Sequence, residues 1–113
     1  MELFSHQKTN NMTAISKLTL ALIKKLYPAN IQNQVKLLIE EQCGQNLPFC
    51  ENATPESLHR LRFAALKAGE GNMDKLAKAV NLAKIDWRDL LVWVEFANDL
   101  EAHNKWAEQI MKG

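Results

Sequence analysis

The sequence predicts an all-α fold, a compact single-domain bundle of five or six short helices, and three observations support that class. Apolar residues recur at spacings of three and four along most of the chain, as they do on one face of a helix. Proline and glycine stand between these periodic segments rather than inside them. The chain has 113 residues, 47% of them hydrophobic and 24% charged, which suffices to bury one core.

The N-terminal part of the chain predicts a flexible tail followed by a helical hairpin. Residues 1–11 are polar and lack periodicity, and the single domain is expected to span 12–113. The hairpin covers 13–43. Its two helices are separated at Tyr27, because the following Pro28 disfavours helical geometry in the residue before it. The apolar stripe predicted for the first helix consists of Ile15, Leu18, Leu22 and Leu26.

A loop over 44–53 is expected to separate this hairpin from a C-terminal helical subdomain at 54–111. A Thr-Pro pair opens the helix predicted at 54–68, since threonine caps backbone amides and proline suits the first helical position. After a glycine-containing turn, Asn72 is predicted to cap the next helix, at 73–84. The residues predicted to be buried on that helix are Met73, Leu76, Ala77, Val80 and Ala83.

The stretch from Asp86 to Phe96, DWRDLLVWVEF, predicts a helix over 86–97 at the centre of the bundle. Its first aspartate is a favourable N-cap. The run after it is apolar on nearly every face, which requires enclosure by other helices or by a partner. β-Branched residues in the run also suit a strand, but the neighbouring helical patterns favour a helix. A last helix after Asn98 and Asp99 is predicted to carry Leu100, Ala102, Trp106 and Ile110.

Charge and cysteine content argue against several classes of protein. A formal net charge of +1 provides no overall field that would attract nucleic acid or an anionic membrane. No apolar segment is long enough to span a bilayer and no secretory signal is recognisable, so a cytoplasmic location without membrane association is expected. Cys43 and Cys50 are interpreted as two free thiols, with a single disulfide as the alternative.

No catalytic, cofactor-binding or metal-binding residue is predicted. The three histidines are far apart in the sequence, and the cysteines lack the spacing of a zinc motif. A nucleophilic Cys50 assisted by His59 or His103 would have no local signature. Gly69 and Gly71 lie between helices, whereas a phosphate-binding loop follows a strand. The chain is therefore expected to be a non-enzymatic binding protein that needs no cofactor.

The favoured interpretation is binding to a protein partner or to a second copy of the chain, through helix faces. Three tryptophans are many for a small helical domain, and aromatic side chains left at a surface are frequent interface anchors. The candidate interface residues are Trp93, Trp106 and Phe96.

The alternative interpretation is a nucleic-acid-binding module that uses a basic face of the helices at 54–68 and 73–84. Its candidate residues are Arg60, Arg62, Lys67, Lys75, Lys78 and Lys84. A helix-turn-helix reading of 73–84 and 86–97 is disfavoured, because the recognition helix would present three acids and one base to a polyanion.

Three blocks of the sequence resemble a known family. They are YPANIQNQVKLLIE at 27–40, LRFAALKAGEGNMDKL at 61–76 and DWRDLLVWVEFANDLEAH at 86–103. The last two carry the pattern LKxGxGNxDKL … DWRDLL and are similar to a family of small uncharacterised bacterial all-helical proteins. The resemblance implies a bacterial or phage-associated helical domain with no known activity and no catalytic residues to transfer. Trp93 stands where that family has a small residue, which would add a contact surface specific to this chain.

Overall fold

A computed structural model describes residues 15–44 and 54–113, and it confirms the all-α class. Within these residues no strand is present. The α-helices are α1 Lys17–Leu26, α2 Gln32–Gln42, α3 Pro55–Gly69, α4 Met73–Trp93 and α5 Ala102–Lys112, with a 3₁₀ turn at Ala29–Ile31.

Local capping chemistry sets the helix boundaries where the sequence predicts them. Tyr27, which precedes a proline, is extended (φ −121°, ψ 144°) and ends α1. The Thr54 hydroxyl accepts a hydrogen bond from the Ser57 amide at 3.1 Å, and the Ser57 hydroxyl accepts one from the Thr54 amide at 2.9 Å. The Asn72 side chain accepts a hydrogen bond from the Lys75 amide at 3.0 Å and opens α4.

The central helix is α3, so the central position predicted for 86–97 is wrong. α3 packs along α4 and also contacts α1 and α5. Its buried residues lie on all sides of the helix. The segment 86–97 instead lies at the edge of the bundle and leaves Val92 and Trp93 exposed. The buried residues of α3 are Leu58, Leu61, Arg62, Phe63, Ala64, Ala65, Leu66, Ala68 and Gly69.

The buried face of two helices is rotated from the predicted one. On α1 the core takes Thr19 and Ile23, whereas Leu18 points outward and is 40% exposed. On α4 the core takes Ala79, whereas Ala77 is exposed. Periodicity predicts that a helix has one buried face, but the positions of its neighbours decide which of two adjacent residues lies on it.

The close contact between α1 and α3 depends on a glycine. The Tyr27 hydroxyl donates a hydrogen bond to the Leu66 carbonyl at 3.0 Å, and burial raises the pKa of this phenol. A Cβ atom on Gly69 would collide with that hydroxyl and would press on Leu76. Gly69 therefore allows the end of α3 to lie against the end of α1.

Two predictions fall wholly or largely on residues outside the described ranges. The tail at 1–11 lies outside them, as does all but the first residue of the loop at 44–53, including Cys50. Cys43 is buried. Among the described residues, no helix combines the length and the apolar character that crossing a membrane would require.

Candidate interaction surface around Trp93

A break at Asp86 divides α4 into a first segment, 73–85, and a second segment, 87–93. Asp86 has extended backbone angles (φ −154°, ψ 96°) inside an otherwise helical run. Its Oδ1 atom accepts a hydrogen bond from the Arg88 amide at 3.1 Å, so the carboxylate caps the second segment as the sequence predicts. The break re-aims the second segment relative to the first.

The second segment has a buried side and an outward side. Leu90 and Leu91 are buried, and Trp87 is half-buried against the core. The opposite side presents Val92, 64% exposed, and Trp93, 53% exposed. The apolar run in the sequence is therefore enclosed on one side only.

A left-handed turn ends the second segment and buries Phe96. Glu95 has φ 68°, its amide donates to the Val92 carbonyl at 3.1 Å, and the Phe96 amide donates to the Leu91 carbonyl at 2.9 Å. These two bonds form a Schellman motif. The motif turns the chain back, so Phe96 is only 1% exposed. The helix therefore stops at Trp93 rather than at residue 97, and Phe96 does not contribute to an external interface.

Two cations of α3 hold this turn in place. The Arg60 guanidinium donates to the carbonyls of Phe96 and Ala97, the latter at 3.3 Å. The Lys67 ammonium donates to the Val94 carbonyl at 3.0 Å and lies 5.0 Å from the centre of the Phe96 ring. Hydrogen bonds from charged donors to backbone carbonyls are among the stronger ones in proteins. Arg60 and Lys67 thus fix the end of the second segment against α3.

The remaining residues of the predicted basic face are Arg62, Lys75, Lys78 and Lys84. Arg62 is 1% exposed, and its Nε atom donates to the Cys43 carbonyl at 2.9 Å. Lys84 donates to the side-chain oxygen of Gln42, and Lys75 pairs with Glu70 at 2.8 Å. Lys78 is exposed. Burial removes Arg62 from the predicted basic face, and Arg60 and Lys67, which are half-buried, direct their charged groups to backbone carbonyls.

Trp106 belongs to an aromatic cluster rather than to an open surface. It is half-buried, and its ring centre lies 6.2 Å from that of Phe63 and 6.0 Å from that of Phe96, in tilted geometry. Leu100, which the sequence places on the last helix, precedes α5 and is 71% exposed. Of the three predicted interface aromatics, Trp93 alone is largely exposed.

A groove of about 160 Å³ lies beside Trp93, where the ends of α3 and α4 meet. Glu70 and Glu95 are the residues just beyond these helix ends, and both adopt left-handed backbone angles, with φ 52° and 68°. The Lys75 ammonium lowers the pKa of the Glu70 carboxyl through a hydrogen bond and its charge. The lining residues are Lys67, Ala68, Glu70, Trp93, Val94 and Glu95.

Sequence reasoning missed a polar contact that joins α5 to α3, between a buried histidine and an exposed carboxylate. His103 is fully buried, and its Nε2 atom lies 2.7 Å from a carboxylate oxygen of Glu56. Desolvation acts to raise the pKa of Glu56, but the hydrogen bonds from His103 and Asn104 outweigh it and leave this pKa lowered. The sequence pattern that could have predicted the burial of His103 is its position among Ala102, Trp106 and Ala107, which share one face of α5.

This pair is suited to holding helices together rather than to chemistry on a bound molecule. His103 has no exposed surface through which a substrate could reach it. His59, one turn from Glu56, stacks on Phe63 with ring centres 5.7 Å apart. Among the described residues, no three histidine, cysteine, aspartate or glutamate side chains are grouped so that they could hold a metal ion. Cys50, the candidate nucleophile weighed from the sequence, lies outside the described ranges.

No protein-family model, no curated protein sequence and no solved structure matches this chain. The resemblance to a bacterial helical family therefore stays a prediction.

Proposed function

We propose that this protein is a non-enzymatic binding protein that docks a protein partner on the outward side of the second segment of α4. The observation that carries the proposal is the exposure of Trp93, which is 53%, directly beside an exposed Val92. Tryptophan is the residue most enriched among the few that dominate binding at protein interfaces. An indole held on a fixed helix end loses little conformational entropy when a partner covers it.

The environment of Trp93 supports a site that is already formed before binding. The buried side of the segment anchors it through Leu90 and Leu91, and the turn after it is held by Arg60 and Lys67. A preorganised surface binds more tightly than one that must be ordered on contact. Nucleic-acid binding has less support, because Arg60, Arg62 and Lys67 already bind backbone carbonyls.

The experiment compares wild type with Trp93→Ala and with Leu100→Ala, a matched variant at another exposed apolar position (71% exposed). Each purified chain is immobilised and exposed to extract of its native host, and the retained protein is then purified and its affinity for each variant is measured. We expect Trp93→Ala to weaken binding by about 2 kcal/mol or more, as for an interface hot spot, and Leu100→Ala to leave it unchanged. Equal retention by all three chains contradicts the proposal.

A further inference from the structure

We infer that a groove between α1 and α2 binds an acidic peptide segment of a partner protein, with one apolar side chain in the groove and carboxylates paired with Lys24 and Lys36. The groove shares no residue with the one beside Trp93, so the inference goes beyond the proposed function and does not depend on it. It is carried by the residues that line the groove and by the charge of the chain around it.

The groove has a volume of about 170 Å³ and lies where the end of α1 meets the start of α2. The Gln32 side-chain amide joins the two helices by donating to the carbonyls of Lys24, at 3.3 Å, and Tyr27, at 2.8 Å. Lys36 lies one turn after Gln32 on the same side of α2. The groove therefore has a lysine on each of its two walls. Its lining residues are Leu20, Ile23, Lys24, Gln32, Asn33 and Lys36.

The chain around the groove is basic. No acidic side chain lines the groove, and none occurs in residues 15–39, which the structure describes throughout. These residues include four lysines, whereas the rest of the chain holds the other ten Lys and Arg residues and all thirteen Asp and Glu residues. The net charge of +1 therefore conceals a basic region and an acidic remainder. The four lysines are Lys17, Lys24, Lys25 and Lys36.

The two lysines of the groove have no anionic partner among the described residues. Neither Lys24 nor Lys36 forms an ion pair there. Glu40 follows Lys36 by one turn, but its carboxylate lies 3.4 Å from the Ile15 amide nitrogen. Ile15 precedes the start of α1, whereas the groove lies at the other end of that helix. The charges of both lysines are therefore left for a ligand.

An acidic peptide fits this groove better than other anions. Leu20 and Ile23 line it together with the lysines and offer contacts to an apolar side chain. The volume suits one such side chain rather than a second helix. Carboxylates next to that side chain can then pair with the two ammonium groups. A nucleic acid is a poorer occupant, because its affinity depends on many phosphate contacts and its backbone presents no apolar side chain.

The test is an NMR titration of the full-length chain with acetyl-Glu-Leu-Glu-amide. Two matched peptides separate the contributions: acetyl-Gln-Leu-Gln-amide lacks the charges, and acetyl-Glu-Gly-Glu-amide lacks the apolar side chain. We expect the first peptide to shift the side-chain amide signals of Gln32 and Asn33, and each matched peptide to bind about threefold more weakly or worse. Added salt should weaken binding of the first peptide, because exposed charges are screened.

Variants test the individual contacts. Lys24→Gln and Lys36→Gln should each weaken binding of acetyl-Glu-Leu-Glu-amide about threefold, as expected for an ion pair near the surface. Lys78→Gln, a matched change at an exposed lysine of α4, should leave it unchanged, and so should Trp93→Ala. Equal binding of the three peptides, or wild-type affinity in both Lys24→Gln and Lys36→Gln, overturns the inference.

Other occupants are recognised in separate measurements. A short DNA duplex that shifts the same signals at a lower concentration than the peptide, at physiological salt, identifies a nucleic acid. Light scattering identifies a second copy of the chain if the mass doubles with concentration and Lys24→Gln abolishes the doubling. Either result overturns the inference of an acidic partner peptide and leaves the docking surface at Trp93 untouched.

Discussion

The two segments of α4 have similar buried sides and different outward sides. In the first segment Leu76, Ala79, Val80 and Ala83 face the core, and in the second Leu90 and Leu91 do. Outward, the first segment presents Ala77, Lys78 and Asn81 along its middle and a single large apolar side chain, Ile85, at its end, whereas the second presents Val92 and Trp93 side by side. Burial explains the inward residues of both segments. It does not explain two large apolar side chains that lie outward next to each other, and this is why we propose that they bind a partner.

The largest expected effect tests the similarity of the buried sides. Leu76 and Leu90 are both 0% exposed, one in each segment, and replacing either with alanine should lower the free energy of unfolding by about 3 kcal/mol. Urea denaturation of the two variants measures this. Of the matched outward variants, Asn81→Ala should change stability by no more than about 0.5 kcal/mol, and Trp93→Ala, which removes a half-covered indole, by no more than about 1.5 kcal/mol. If Trp93→Ala lowers the free energy of unfolding as much as Leu90→Ala does, Trp93 is a core residue and the outward side of the second segment is not a free surface.

A smaller effect is expected from the cation that holds the second segment. Lys67→Met removes the donor to the Val94 carbonyl while keeping an apolar stem of similar length, and it should cost about 1.5 kcal/mol. Lys78→Met, on the outward side of the first segment, should stay within about 0.5 kcal/mol. Thermal unfolding followed by circular dichroism compares the two. Similar melting temperatures would show that Lys67 does not anchor the segment.

A stabilising change is expected at the turn that ends the second segment. Glu95 has φ 68°, a conformation that glycine adopts without strain, so Glu95→Gly should raise the free energy of unfolding by about 1 kcal/mol. Glu108→Gly, inside α5, should lower it by about the same amount because glycine disfavours a helix interior. Urea denaturation gives both values. A destabilised Glu95→Gly would mean that the carboxylate contributes to the fold itself.

The smallest expected effect is a loss of stability at low pH. It should arise from titratable groups in the first turns of α3 and not from the second segment of α4. Burial lowers the pKa of His59, because the folded state favours the neutral imidazole. The resulting contribution to the free energy of unfolding is present above about pH 6.5 and is lost as the pH falls through the folded pKa. The lowered pKa of Glu56 adds stability that is present above its ordinary value and is lost at still lower pH.

The Glu56 contribution should be no more than about 0.5 kcal/mol, because its side chain is 61% exposed and solvent screens the charge. Urea denaturation at pH 7, 5.5 and 4 measures the loss. His59→Gln should flatten the upper part of the profile and Glu56→Gln the lower part. If Glu95→Gln, at the end of the second segment, flattens the profile as much, the pH dependence does not belong to the start of α3.

Sequence reasoning predicted those features that depend on neighbours along the chain. The end of α1 before Pro28 and the caps at Thr54, Asn72 and Asp86 follow from the preferences of one or two residues, and the structure confirms them. The exposure of Trp93 could be suspected only because the segment held more apolar residues than one buried side can take.

The features that sequence reasoning missed depend on contacts between helices. Arg62 is buried because the carbonyl of Cys43, on another element, accepts its hydrogen bond. Phe96 is buried because a left-handed residue turns the chain after α4, and glutamate gives no sign of such a turn since glycine normally occupies that position. The hydrogen bond that His103 makes inside the fold depends on Glu56, which is 47 residues away.

The break at Asp86 has a consequence for the dynamics of the protein. The backbone leaves helical geometry at Asp86, so we expect the second segment to open locally without unwinding the first. Its amides should then exchange with deuterium through local opening, whereas those near Leu76 should exchange only with global unfolding. A ligand that covers Trp93 would slow exchange in the second segment alone, so the footprint of binding would coincide with a unit of local stability.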